Sequence, residues 1–224
     1  QLKRAVVSKQ YQMGGIEALR KRLSNSVKRR TLLEDIAINI DHRGGPNSLL
    51  LVETEDPHWS GLRLDAIAAT LKVQPAEAAA RLITEGQARV VSFNMTEDDI
   101  KTFMKEPWVA TSSDGTDGHP RKFGSFPRKY SAYVRDSDTL SLAEFIRASS
   151  GLPADILGLR DRGYLATGMI ADVLVLDPKR YQENASFAEW DRLSSGVEHL
   201  LVNGRFAIKD GVVTQLRLGQ PVTR

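Results

Sequence analysis

Residues 89–115 read RVVSFNMTEDDIKTFMKEPWVATSSDG, and this stretch decides our prediction of the fold. Its first apolar residues predict a strand over 89–94, and the acidic residues and apolar stripe that follow predict a helix over 96–104. Pro107 stops that helix, and the next apolar run predicts a second strand over 108–112. A strand, a helix and a strand in this order are typical of a parallel sheet, either doubly wound or closed as a barrel.

The sequence before this stretch carries further helix and strand signals. Apolar residues at helical spacing predict helices over 15–23, 64–71 and 75–83. A short apolar run between glycine and proline signals predicts a buried strand over 49–52. The succession supports an α/β fold class.

The last sixty or so residues change to strand periodicity. An apolar run over 171–177 is rich in β-branched residues, and Asn203-Gly204 lies between two further apolar runs as a hairpin turn. Asp210-Gly211 predicts another turn. We therefore assign residues 1–160 to an α/β portion and residues 161–224 to a small β-rich domain.

Composition narrows the class of protein. The chain has 224 residues, of which 41% are hydrophobic and 26% charged, and this predicts a globular protein with a sizeable core. No apolar run reaches the length of a membrane span, and the net charge of +3 is scattered, so we predict neither a membrane nor a nucleic-acid partner. The absence of cysteine excludes disulfides and thiolate ligands, and we expect a cytoplasmic location.

Asp114 is the first candidate for chemistry. It follows the predicted strand over 108–112 and precedes Gly115. We expect its side chain at the carboxyl end of a parallel strand, where α/β folds place their active sites. An aspartate that only caps a turn is the alternative.

The polar segment over 114–138 is predicted as a long loop, and loops of this length are usually functional. Arg121 offers a planar guanidinium that matches a carboxylate, which suits recognition of an acidic substrate. His119 is either a hydrogen-bonding group or a metal ligand. A solvated basic loop is the alternative, because the segment also contains Lys122, Arg128, Lys129 and Arg135.

Several motifs then make the sequence recognisable as a whole. In chain order they are Ser112-Ser113-Asp114-Gly115, His119-Pro120-Arg121, Gly124-Ser125-Phe126-Pro127-Arg128, Tyr133-Val134-Arg135 and Ala171-Asp172-Val173-Leu174-Val175-Leu176-Asp177. Together they resemble the C-terminal half of the N-acyl-D-amino-acid deacylases, or D-aminoacylases, of the amidohydrolase superfamily. The resemblance implies that residues 1–160 form the later half of a (β/α)8 TIM-like barrel, followed by a portion of a small β-sandwich.

The same resemblance implies zinc-dependent hydrolysis of the N-acyl amide bond of N-acyl-D-amino acids. Asp114 matches the family aspartate that accepts a proton from the zinc-bound water and delivers one to the leaving nitrogen, and it is also considered as a metal ligand. Arg121 matches the arginine that binds the α-carboxylate of the small-molecule substrate. We assign His119, in the same motif, to substrate binding as well.

One departure from the family pattern concerns the metal. The chain has no cysteine, and its histidines do not match those with which the family binds zinc. We therefore expect the missing N-terminal half of the same protein to supply these ligands, and this chain alone to be inactive. A natural truncated homologue would give the same sequence, and an assembly of several copies is compatible with it. Two other functions stay open: a non-catalytic binding or assembly module, and a cyclic-amide hydrolase of the hydantoinase or dihydroorotase kind.

Overall fold

A computed structural model describes residues 1–222 of the chain. The chain divides into two compact units, Gln1–Thr96 and Glu97–Arg224. This division does not coincide with the predicted boundary near residue 160, so the barrel and sandwich portions remain predictions. Within the described residues, no helix has both the length and the apolar character needed to cross a bilayer.

The first unit consists mainly of helices around one short sheet. Its helices are α1 (Leu2–Val6), α2 (Lys9–Gln12), α3 (Gly15–Leu23), α4 (Ser26–Asp41), α5 (Leu64–Leu71) and α6 (Pro75–Glu85). Its strands are β1 (Leu49–Thr54) and β2 (Ala88–Ser92), and single 3-10 turns occupy Pro46–Ser48 and Pro57–Trp59. The helices predicted over 15–23, 64–71 and 75–83 are confirmed.

The core of the first unit follows from residue spacing. Leu32, Ile36 and Ile40 recur every four residues on α4, and all three are buried. The side chain of Asn25 accepts a hydrogen bond from the backbone N–H of Lys28 at 3.1 Å and so caps the start of this helix. The apolar stripe of α4 therefore faces the same buried cluster as α5, α6 and β1.

Strands β1 and β2 form a two-stranded antiparallel sheet. Leu51 lies opposite Val90, and Leu49 and Leu51 are buried while the residues between and after them are less so. The strands predicted over 49–52 and 89–94 are confirmed. The parallel arrangement predicted for the sheet is wrong here, because this pair is antiparallel.

The predicted strand over 108–112 is absent, so the strand–helix–strand unit is wrong. Its helix is present as α7 (Glu97–Met104), but residues 108–112 are irregular. A parallel strand requires a neighbour for its hydrogen bonds, and none of the strands in the described part of the chain pairs with this segment. The Thr111 N–H donates to the Ala148 carbonyl instead, at 2.8 Å.

The polar segment predicted as a loop is largely helical. Helix α8 spans Arg121–Tyr130 and continues as a π-helical turn over Ser131–Arg135. The loop was predicted from the length and polarity of this segment, and Gly124 and Pro127 also lower helix propensity. The helix is held by tertiary contacts: Arg128 and the Ser131 hydroxyl both bind Glu183, at 3.2 Å and 2.9 Å.

Helices α9 (Leu142–Ser149) and α10 (Gly151–Leu157) follow. The Ser141 side chain accepts from the Glu144 N–H, and Glu144 accepts from the Ser141 N–H, which confirms the capping box indicated by the sequence. Phe145 of α9 packs on the ring of Tyr130, whose other neighbour is Tyr181, with both ring centroids 5.5 Å away. These three aromatic residues form a small buried core in the second unit.

The chain ends in a four-stranded antiparallel sheet. Its strands are β3 (Val173–Leu176), β4 (Val197–Val202), β5 (Arg205–Lys209) and β6 (Val212–Val213), paired in sequence order. Asn203 and Gly204 both have positive φ, 52° and 75°, as the predicted hairpin turn requires. The predicted mixture of helices and sheets is thus confirmed. Both sheets are antiparallel, in contrast to the parallel sheet that was predicted.

Candidate active site

Asp114 lies two residues beyond Ser112, in the same irregular stretch of chain as residues 108–112. Its φ of 42° lies in the left-handed region, which aspartate tolerates better than most residues with a side chain. The side chain is 80% exposed, so its carboxylate is open to solvent. Gly115 follows, and a Cβ at that position would lie only 3.2 Å from the Lys122 side chain. A small residue is therefore favoured next to Asp114.

Arg121 begins α8 and is brought directly to Asp114. Its Nη2 lies 2.9 Å from the Asp114 Oδ2 and 3.4 Å from the Thr116 hydroxyl. Its Nε is buried and has no hydrogen-bond acceptor among residues 1–222. An unsatisfied buried donor costs about 1–3 kcal/mol, so Arg121 is held in this position at some cost to the stability of the fold.

His119 is oriented by the same turn. Its Nδ1 accepts a hydrogen bond from the Arg121 N–H at 3.1 Å, and its ring meets Phe187 edge-on at 5.3 Å. Burial lowers the pKa of His119, the charge of Arg121 lowers it further, and Asp114 opposes both. A neutral ring with Nδ1 as acceptor carries its proton on Nε2, which makes His119 a hydrogen-bond donor towards a ligand.

Aromatic rings line the other side of the turn. Phe123 and Trp190 have ring centroids 6.0 Å apart, and the Lys122 Nζ lies 5.9 Å from the Trp190 centroid while pairing with Asp117 at 2.5 Å. The segment between β3 and β4 supplies Trp190, as it does Phe187. Our sequence reasoning did not single out these two residues, because no local motif links them to Asp114.

Thr111, which lies close to Asp114 in the chain, forms a polar cluster with Lys129 and Ser149, and the sequence did not predict it. The Thr111 Oγ1 accepts from the Lys129 Nζ and from the Ser149 hydroxyl, each at 2.9 Å. Lys129 is only 7% exposed, so it does not belong to a solvated basic loop.

The described residues do not form a metal centre by themselves. No three His, Cys, Asp or Glu side chains within residues 1–222 come together as ligands would. Asp114 offers one carboxylate, which is engaged by Arg121, and His119 directs its Nδ1 to a backbone N–H. A tetrahedral zinc site needs more donors than these.

Comparison with known proteins decides the family. The sequence pattern of the Amidohydrolase family matches residues 55–208, which is more than half of the chain. The chain belongs to the amidohydrolase family. The matched range includes all three residues predicted for the site, Asp114, His119 and Arg121.

The curated relatives of this amidohydrolase chain are deacylases from Alcaligenes xylosoxydans xylosoxydans. An N-acyl-D-glutamate deacylase is 32% identical over 81% of the chain, an N-acyl-D-aspartate deacylase is 31% identical over 66%, and a D-aminoacylase is 29% identical over 75%. These matches confirm the predicted resemblance to N-acyl-D-amino-acid deacylases. The chain spans 40%, 30% and 35% of the lengths of these relatives.

Solved structures agree with this placement. The N-acyl-D-glutamate deacylase of Bordetella bronchiseptica, complexed with zinc and a phosphonate inhibitor that mimics the tetrahedral intermediate, is 32% identical with a TM-score of 0.65. A D-aminoacylase with a binuclear metal centre is 28% identical with a TM-score of 0.69. The two structures align with 75% and 79% of this amidohydrolase chain, and the aligned part makes up 36% and 38% of their own chains.

Proposed function

We propose that this chain is part of a metal-dependent deacylase that hydrolyses N-acyl-D-amino acids, and that it carries the proton-transferring and carboxylate-binding residues. The observation that carries the proposal is the 2.9 Å contact between Asp114 and Arg121 in a chain of this family. A proton carrier and a carboxylate receptor for this reaction must lie within several ångströms of each other, because the scissile nitrogen and the carboxylate of the substrate share one α-carbon.

Asp114 acts first as general base. Its ionised carboxylate accepts a proton from the attacking water as the new C–O bond forms at the acyl carbon. It then delivers that proton to the nitrogen as the C–N bond breaks, which yields the D-amino acid and a carboxylate. The 80% exposure of the side chain leaves its free oxygen accessible to water.

Arg121 receives the α-carboxylate of the substrate. Its pair with Asp114 is exposed, and such pairs contribute only about 0–1 kcal/mol, so a substrate carboxylate competes readily for the guanidinium. Once released from Asp114, the guanidinium presents its planar pair of donors to the substrate carboxylate. The Nε2–H of His119 supplies a further donor on the same side.

Zinc is the proposed metal, because a similar solved deacylase is a zinc complex. Since the described residues do not form a centre by themselves, its principal ligands would come from polypeptide outside these 224 residues, and we propose that the chain functions within a longer protein. In that longer protein, residues 1–160 would belong to the barrel and residues 161–224 to the β-sandwich domain. The similarity to N-acyl-D-amino-acid deacylases supports a linear amide, and not a cyclic one, as the proposed substrate. A cytoplasmic location stays a prediction.

The complete protein should be assayed with zinc against N-acetyl-D-glutamate, N-acetyl-D-aspartate and N-acetyl-D-leucine, with the three L-enantiomers as controls. We expect release of free amino acid from at least one D-substrate and from none of its mirror images. Binding of the D-substrates without turnover would favour the non-catalytic module. Turnover of a hydantoin or dihydroorotate alone would favour the cyclic-amide hydrolase.

A further inference from the structure

Lys129 is a buried basic residue that faces no carboxylate within the described residues 1–222. It is 7% exposed, its Nζ donates to the Thr111 Oγ1 at 2.9 Å, and no carboxylate within residues 1–222 lies at ion-pair distance. Burial lowers the pKa of Lys129. A desolvated ammonium without an anion destabilises a fold, so stability alone does not account for a lysine here.

The partner of this lysine, Thr111, anchors the segment that leads to Asp114. The Thr111 N–H donates to the Ala148 carbonyl at 2.8 Å, and its Oγ1 accepts from Ser149 as well as from Lys129. Thr111 therefore has hydrogen bonds to α8 and to the end of α9, although residues 108–112 lack a sheet partner in the described structure. These bonds replace the fixation that a β-ladder would provide.

Helix α8 holds this segment at both ends. Arg121 binds the carboxylate of Asp114, and Lys129, eight residues further along the helix, binds Thr111. The Arg121–Asp114 pair is exposed and weak, whereas the Lys129–Thr111 hydrogen bond comes from a buried side chain, so Lys129 supplies the firmer of the two attachments.

We propose that Lys129 is a positioning residue for Asp114, which acts through Thr111 to fix the backbone from which the proton-transferring carboxylate projects. This inference rests on the proposed function. A displacement of about 1 Å in a reacting group can lower a rate by up to about a hundredfold. Lys129 should therefore affect kcat more than KM, because Asp114 acts in the chemical step.

The test is Lys129→Met in the complete, zinc-loaded protein, since methionine is an unbranched side chain only slightly shorter than lysine and lacks the amine. We expect kcat to fall about tenfold to a hundredfold, KM to change less than about twofold, and the melting temperature to stay the same or rise. Amide hydrogen exchange at Thr111 should become faster. Lys179→Met, an exposed lysine of the same unit, is the matched control and should change none of these quantities.

Wild-type kcat together with wild-type exchange at Thr111 in Lys129→Met would overturn the proposal, as would a loss of activity that only parallels a loss of melting temperature. If Lys129→Met does not fold, Thr111→Ser and Thr111→Val test the same anchor. The serine variant retains the hydroxyl acceptor and should keep its activity, whereas the valine variant lacks the acceptor and should lose activity. Equal activities would refute the anchoring role. A complete wild-type protein without deacylase activity would instead refute the proposed function, and the exchange measurement would still test the anchor.

Discussion

Replacement of Arg121 by lysine tests how the substrate is recognised. The replacement weakens an ion pair with Asp114, whose side chain is 80% exposed. Exposed ion pairs contribute little to stability, so the melting temperature should change little. Substrate binding should suffer much more. A lysine ammonium is a single point charge and cannot offer the planar pair of donors that a guanidinium presents to a carboxylate.

The expected magnitude follows from the lost hydrogen bond. A hydrogen bond to a charged group contributes about 1.5–3 kcal/mol, and each 1.4 kcal/mol corresponds to a factor of ten. We therefore expect kcat/KM for N-acetyl-D-glutamate to fall about tenfold to a hundredfold in Arg121→Lys. For the analogue with an α-carboxamide in place of the α-carboxylate, the fall should be less than about threefold, because that group is neutral.

The assay is steady-state release of acetate from both substrates by wild type, Arg121→Lys and Arg128→Lys. Arg128 is an exposed arginine of the same helix, and because a lysine there keeps the positive charge that faces Glu183, its replacement should leave both rates unchanged. An equal loss of kcat/KM on the two substrates would show that Arg121 supports the site without binding the α-carboxylate. An unchanged rate on both would remove Arg121 from the site altogether.

Three further predictions concern stability and pH. Phe145→Ala removes a ring from the aromatic core of the second unit and should cost about 3–5 kcal/mol, so its melting temperature should lie well below that of Ile146→Ala, whose side chain is exposed. Ser141→Ala removes the capping box of α9 and should cost about 1 kcal/mol in the free energy of unfolding measured in urea. The folded protein lowers the pKa of His119 below its ordinary 6.5, so the unfolded chain binds this proton more readily. The free energy of unfolding should therefore fall as pH drops from 6.5 through the folded-state pKa of His119. His119→Gln should flatten that part of the curve of stability against pH, and an unchanged curve would contradict the lowered pKa of His119.

Features encoded by neighbouring residues were predictable from the sequence. The turn at Asn203-Gly204 and the capping box at Ser141 depend on residues a few positions apart, and both are present in the structure. The apolar spacing of α6 likewise specified a helix from Pro75 onward. Asp114 and Arg121 were singled out from the sequence because both lie within one short segment that resembles a known family, whereas their ion pair was not predicted.

Features that depend on distant partners were not predictable. Residues 108–112 have the composition of a strand, but a strand forms only where another strand accepts its hydrogen bonds. Helix α8 contains Gly124 and Pro127, and it holds because Glu183, more than fifty residues later, binds its last turn. The burial of Lys129 contradicts the usual preference of lysine for the surface, and only the fold places it against Thr111.

The role of Asp114 is tested most directly by Asp114→Asn in the complete protein, with kcat and zinc content measured on the same sample. Asparagine keeps the shape of the side chain and can still accept a hydrogen bond from Arg121, but it cannot take up a proton at neutral pH. We predict that kcat falls about a hundredfold to ten-thousandfold while the zinc content stays at the wild-type level. A variant that retains its zinc and turns over its substrate at nearly the wild-type rate would contradict the assignment of Asp114 as the proton carrier.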